Sequence, residues 1–252
     1  MQLKLKKSAE KLQLDLRKAG VKPVEVDVAF VSDVSYSYQD EHEGGQTQLL
    51  LTRLLPWGMT LDPDRKMEMF TFSHGEANAH YVGQVDESNY SDFMRKRVIS
   101  KVPGYGGNTD YSFVLSKVLY HFGWVAEMSS DRSFFGTVKD LLFGKSDISQ
   151  RESKKVRPKK VLVLFNTDGD NDDKEETTHL LEEMENQGYE VYILFIAYAN
   201  DGEKFKFLHK IANRFKNTGL HVVHDLNYFT RASDEYLNQI LITPELVAWL
   251  NK

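Results

Sequence analysis

The 252-residue sequence contains no cysteine, which excludes disulfides, thiolate metal sites and cysteine nucleophiles and fits a reducing compartment such as the cytoplasm. It has no apolar run approaching the roughly 18 residues that a membrane span needs. Its basic beginning, MQLKLKKSAEKLQLDLRKAG, has no apolar stretch of the kind a secretory leader carries. Neither secretion nor membrane insertion is expected. A large charge excess is also missing: 32 Lys and Arg stand against 37 Asp and Glu, a net charge of -5, so nothing in the bulk charge calls for nucleic acid as a partner.

Several catalytic and metal motifs are absent too. GYGGNTD is not followed by the Lys of a phosphate-binding loop, and no G-x-S-x-G elbow surrounds Ser35 or Ser37. His74 with His80, and His221 with His224, lack the HExxH spacing on a helix, so zinc is not expected from either pair. Asp168, Asp170 and Asp172 have the spacing of a calcium loop, but Asp173 stands where its Gly should be and His179 where its Glu should be. Asp170, Asp172 and Asp173 read instead as carboxylates at a helix N-terminus.

What the chain does have is an alternation of periods. With 41% hydrophobic residues it can bury one sizeable core. Leu5, Ala9, Leu12, Leu16 and Ala19 predict an amphipathic helix within residues 1–21, stopped by Gly20. VEVDVAFV, KMEMFTFS, AHYVGQV, KKVLVLFNTDG, YEVYILFIAYA and LHVVHDL predict strands. Between them, TQLLLTRLLPWGM, NYSDFMRKRVIS, YSFVLSKVLYHFGW, DKEETTHLLEEMENQG and FKFLHKIANRFKN predict helices, with a last helix running through Trp249. The expected fold is α/β, a doubly wound and mostly parallel sheet flanked by helices, over residues 22–252. Residues 129–160 interrupt it as an insertion, far longer than an ordinary connection. Six basic residues lie between Arg151 and Lys160, and residues 144–160 are expected to be mobile.

In such a sheet, ligands bind at the carboxyl ends of the strands. Three polar clusters fall there: Asp33, Ser35 and Ser37 in AFVSDVSYSYQD, Thr109 and Asp110 after GYGGN, and Asp168 after VLVLFNT. All offer oxygen, which suits a hard cation such as Mg²⁺. The plainer alternative is that Asp33 and its serines cap the following loop as Asx and Ser turns do.

The ordered trio DVSYS, GGNTD and NTDGD resembles the metal-ion-dependent adhesion site of von Willebrand factor A domains. The leading helix, the LTRLLPWGMTLDPDRKMEMFTFS segment and GGNTDYSFVL look most like the branch at the C-terminus of the tellurite-resistance protein TerF, found in bacteria and phages. The resemblance implies a metal set of Asp33, Ser35, Ser37, Thr109 and Asp168, holding Mg²⁺ or, in its place, Mn²⁺ or Ca²⁺. It also implies a protein-binding module, not an enzyme, with an Asp or Glu from a partner protein completing the ion's shell. Its setting would be a bacterial or phage stress response. Tyr36, Tyr38 and Tyr105 would stand at the rim, where the family often has Gly-Ser-Met in place of residues 36–38. Two other classes stay open: a Mg²⁺-dependent phosphoryl-transfer or hydrolytic enzyme with Asp33 as nucleophile, and a scaffold that binds nucleic acid through the basic insertion.

Overall fold

The strongest apolar runs become the strands of one six-stranded sheet, in a computed structural model that describes residues 2–126, 158–199 and 204–252. The strands are β1 (Val26–Asp33), β2 (Met67–Phe72), β3 (His80–Val85), β4 (Lys160–Thr167), β5 (Val191–Tyr198) and β6 (Thr218–Val223). They lie in the order β3-β2-β1-β4-β5-β6. Every neighbouring pair is parallel except β2 and β3, which are antiparallel. Strand order therefore reverses between β1 and β4, and the crevice at a topological switch point opens between their carboxyl ends.

Central strands covered on both faces read as continuous apolar runs, and side chains alternate between the faces. Along β1, Val28 and Phe30 join a core with Leu12, Leu54 and Trp249. Ala29 and Val31 join a second core with Val114, Leu181 and Ile211. The helices that supply these layers are α1 (Gln2–Lys18), α2 (Gln39–Glu43), α3 (Gln46–Leu61), α4 (Ser112–His121), α5 (Lys174–Asn186) and α6 (Lys206–Arg214). α1 buries Leu5, Ala9, Leu12 and Leu16, and each buried leucine contributes on the order of 2 kcal/mol. α3 passes so close to the start of β2 that a Cβ at Gly58 would lie 2.3 Å from the Lys66 carbonyl oxygen. No helix among the described residues is long and apolar enough to cross a membrane.

Three expectations change. The helix expected at 89–100 is only a π turn, Met94–Val98, because Asp92 and Ser100 on either side take left-handed backbone angles, φ 59° and 56°, that an α-helix cannot contain. The last helix is three: α7 (Leu226–Arg231), α8 (Asp234–Leu241) and α9 (Pro244–Leu250). Asp225, Ser233 and Thr243 each cap an N-terminus with a side-chain oxygen, the last two restarting the helix after a break. The proposed insertion falls mainly on residues 127–157, outside the described residues, as does most of the stretch expected to be mobile. Its last residue, Lys160, opens β4 instead.

Candidate metal centre

β1 ends on Asp33, fully buried, and the chain beyond it continues as if it were still a strand. Val34 N–H donates to Phe72 O (3.0 Å), Gly106 N–H to Val34 O (2.8 Å) and Tyr36 N–H to Gly107 O (2.9 Å), so the glycine-rich loop is laced to the DVSYS segment. The glycines are required by this approach. Gly104 has φ +71°, and a Cβ there would lie 2.2 Å from the Ser73 hydroxyl.

Asp33 Oδ1 accepts from the Ser35 N–H at 2.8 Å, the Asx turn that the plainer reading anticipates. Its Oδ2 accepts from the Thr167 hydroxyl at 2.7 Å. Ser35 Oγ lies 3.2 Å from Ser37 Oγ, and Ser37 Oγ donates to Asp168 Oδ1 at 3.0 Å. Asp33, Ser35, Ser37 and Asp168 thus meet in one cluster across the switch point, with Asp33 0%, Ser35 2% and Asp168 5% exposed. Thr109 stands in the adjoining loop, half-buried, and its carbonyl accepts from Asp172 N–H at 2.9 Å. Among the described residues its hydroxyl makes no hydrogen bond to the other four.

Burial pushes the Asp33 carboxyl up to about 6, against the hydrogen bonds from Ser35 and Thr167 that hold it down. No lysine, arginine or histidine forms an ion pair with Asp33 among the described residues. A buried carboxylate without a cation is costly, and an all-oxygen donor set with two buried carboxylates fits a hard divalent ion.

A supporting layer lies beneath. His42, buried, places Nε2 2.8 Å from Asp33 O and Nδ1 2.9 Å from the Thr47 hydroxyl. A carbonyl only accepts, so Nε2 carries the proton and Nδ1 accepts from Thr47. Burial lowers the His42 pKa to about 4, so the ring is neutral at physiological pH. The Tyr111 hydroxyl, also buried, contacts Thr167 Oγ1 and Gly169 O. No motif in the sequence marks these residues: the partners of His42 lie five and nine positions away without a recognisable spacing, and those of Tyr111 are more than fifty positions away.

Of the three rim tyrosines, only Tyr36 is open to solvent, at 75%. Tyr38 is a correction: the 3₁₀ turn Tyr36–Tyr38 rotates it inward, where it is fully buried and hydrogen-bonded to Asn166. Tyr105 is half-buried with its ring 5.8 Å from that of His42. The acidic run also differs from expectation. Asp173 precedes α5, yet its carboxylate accepts from Tyr111 N–H (2.9 Å) and Ser112 N–H (2.7 Å) at the start of α4. Asp170 reaches Phe207 N–H at the start of α6, at 3.3 Å.

No protein-family model and no curated protein sequence matches the chain. Solved structures share its fold. Proximal thread matrix protein 1 from the mussel byssus superposes with a TM-score of 0.52 at 16% identity, over 90% of this chain and 48% of that one. The same mussel protein with a zinc occupied MIDAS motif gives 0.48 at 16% identity, over 87% and 47%. Manganese-loaded Plasmodium vivax TRAP protein gives 0.46 at 15%, over 90% and 75%. The chain spans about half the length of the mussel protein. At these identities the likeness concerns architecture alone, and the architecture is the doubly wound α/β fold of von Willebrand factor A domains.

Proposed function

We propose that this chain is a metal-dependent protein-binding module and not an enzyme. Asp33, Ser35, Ser37, Thr109 and Asp168 would hold one Mg²⁺ or Mn²⁺, and a partner's Asp or Glu would complete the shell. The observation that carries this reading is the meeting of Asp33, Ser35, Ser37 and Asp168 in one hydrogen-bonded cluster, with Asp33 buried and without an ion pair among the described residues. When bound, the ion supplies a positive centre for a carboxylate. The protein's residues do the rest: Asp33 and Asp168 balance charge, the serines add neutral oxygens, and His42 with Thr167 fixes how Asp33 is presented. Tyr36 offers exposed aromatic surface beside the site, where a partner gains contact energy.

The serine hydroxyls bond to each other and to a carboxylate, and the nearby imidazole of His42 is turned to Asp33 O and Thr47. Among the described residues the His42 imidazole reaches neither serine hydroxyl, so the arrangement lacks the Ser–His pair of nucleophilic catalysis, and it favours binding over hydrolysis. A TerF-like role in a bacterial or phage stress response, inside the cell, rests on the motif resemblance.

Calorimetric titration with MgCl₂ and MnCl₂ tests the site. Wild type should bind one ion and Asp33→Ala none; equal binding by both would place the ion elsewhere. Capture of the partner should then require the metal and reverse with EDTA.

A further inference from the structure

Beside the first cluster lies a second set of donors on three loops. His74 follows β2, Asp110 follows Thr109, and Asp172 lies between β4 and α5. One ligand atom from each falls within 4.8 Å of the others. Asp110 is buried, while His74 and Asp172 are exposed. Backbone bonds hold the loops in place. Asp110 N–H donates to Ser73 O (3.2 Å), Gly75 N–H to Asp110 Oδ2 (2.7 Å) and Asp172 N–H to Thr109 O (2.9 Å).

The cluster is more than a group of acids. His74 Nδ1 lies 3.0 Å from Asp110 Oδ2, which aims an imidazole nitrogen into it. Asp173, the neighbouring acid, is committed elsewhere, accepting from Tyr111 N–H, Ser112 N–H, Asn171 and Thr177. Among the described residues neither Asp110 nor Asp172 pairs with a lysine or arginine, and the His74 imidazole is the side chain that approaches Asp110.

We propose that His74, Asp110 and Asp172 form a second cation site, which takes a borderline transition-metal ion such as Zn²⁺ in preference to Mg²⁺. One imidazole and two carboxylates are a common donor set for Zn²⁺, with bonds of about 2.0–2.2 Å, whereas Mg²⁺ takes oxygen and binds imidazole poorly. A tetrahedron with such bonds separates its ligand atoms by about 3.3 Å, inside the 4.8 Å that these three atoms already span. Three protein ligands leave a fourth position for water or a partner's group. The site joins the loops after β2 and β4 to the loop carrying Thr109, so an ion there braces the loop that presents Thr109.

The test keeps the full chain in excess MgCl₂ and adds Zn²⁺, read by calorimetry, or Co²⁺, read by its visible d–d bands. We expect one Zn²⁺ or Co²⁺ per chain, lost in His74→Ala and in Asp172→Ala. Both residues are exposed, so both variants should fold. The site should persist in Asp33→Ala, so a failure of the Mg²⁺ reading is told apart from a failure of this one. No stoichiometric Zn²⁺ binding, or a site that survives both His74→Ala and Asp172→Ala, overturns the proposal.

Discussion

Replacing Asp33 with Asn should make the metal-free protein more stable at pH 8 and the metal-loaded protein less stable than wild type. Burial raises the Asp33 carboxyl from 3.8 to about 6, a change of about 2 pH units, or roughly 3 kcal/mol. The folded state holds the proton more tightly than the unfolded state. Stability from this group is therefore fully present below pH 3.8 and is lost as pH rises through about 6. Asn keeps Oδ1 for the Ser35 N–H and presents Nδ2 to Thr167 Oγ1, whose hydroxyl can turn to Gly169 O, 3.3 Å away. His42 runs the other way. Its folded pKa is lowered from 6.5 to about 4, so its contribution is present above 6.5 and is lost as pH falls through about 4. The two slopes oppose each other in wild type, and only the difference between wild type and variant isolates Asp33. Urea unfolding in EDTA should give that difference as near zero at pH 4 and about 3 kcal/mol in favour of Asp33→Asn at pH 8. Saturating MgCl₂ should reverse the order, since a ligand at about 1,000 times its Kd adds about 4.1 kcal/mol to the protein that binds it, more than the deficit of about 3 kcal/mol. A difference independent of pH would refute the reading of Asp33 as a buried carboxylate awaiting a cation.

Gly104→Ala should destabilise the protein by about 2 kcal/mol or more and weaken Mg²⁺ binding, since it meets both a left-handed φ and the Ser73 hydroxyl; unchanged urea unfolding would show that the loop yields. His42→Ala removes two buried hydrogen bonds and should cost about 2–4 kcal/mol. It should also lower Mg²⁺ affinity in calorimetry although His42 touches no proposed ligand oxygen, and full retention of affinity would separate the ring from the site.

The sheet was legible because its inner strands, β1, β2, β4 and β5, are buried on both faces, and such strands carry their signal in composition alone. VAFV and VLVLF could be little else. The N-terminal helix was legible for a complementary reason, a stripe at Leu5, Ala9, Leu12 and Leu16 that one face buries. Errors came where a local conformation overrode the pattern. MRKRV has good helix formers, but left-handed Asp92 ahead of it and Ser100 behind it confine it to one turn. The C-terminal region has helix-like spacing throughout, and three capping side chains divide it.

The candidate site divides along the same line. Asp33, Ser35 and Ser37 are close in sequence, at alternate positions after an apolar strand, and Asp168 stands where a later strand ends. The inward turn of Tyr38, the His42 contact with Asp33 O and the gathering of His74 with Asp110 and Asp172 are products of topology. Each joins residues that no spacing rule connects. The histidine nearest His74 in sequence is His80, whereas the partners of His74 in space come from two other loops at the same end of the sheet. A parallel sheet sends every βα loop to one end, so donors from distant segments accumulate there without leaving a motif. For this chain that end holds the carboxylates of Asp33, Asp110, Asp168 and Asp172. Such a concentration of negative charge is easier to reconcile with cations as ligands than with the bare protein as the working state.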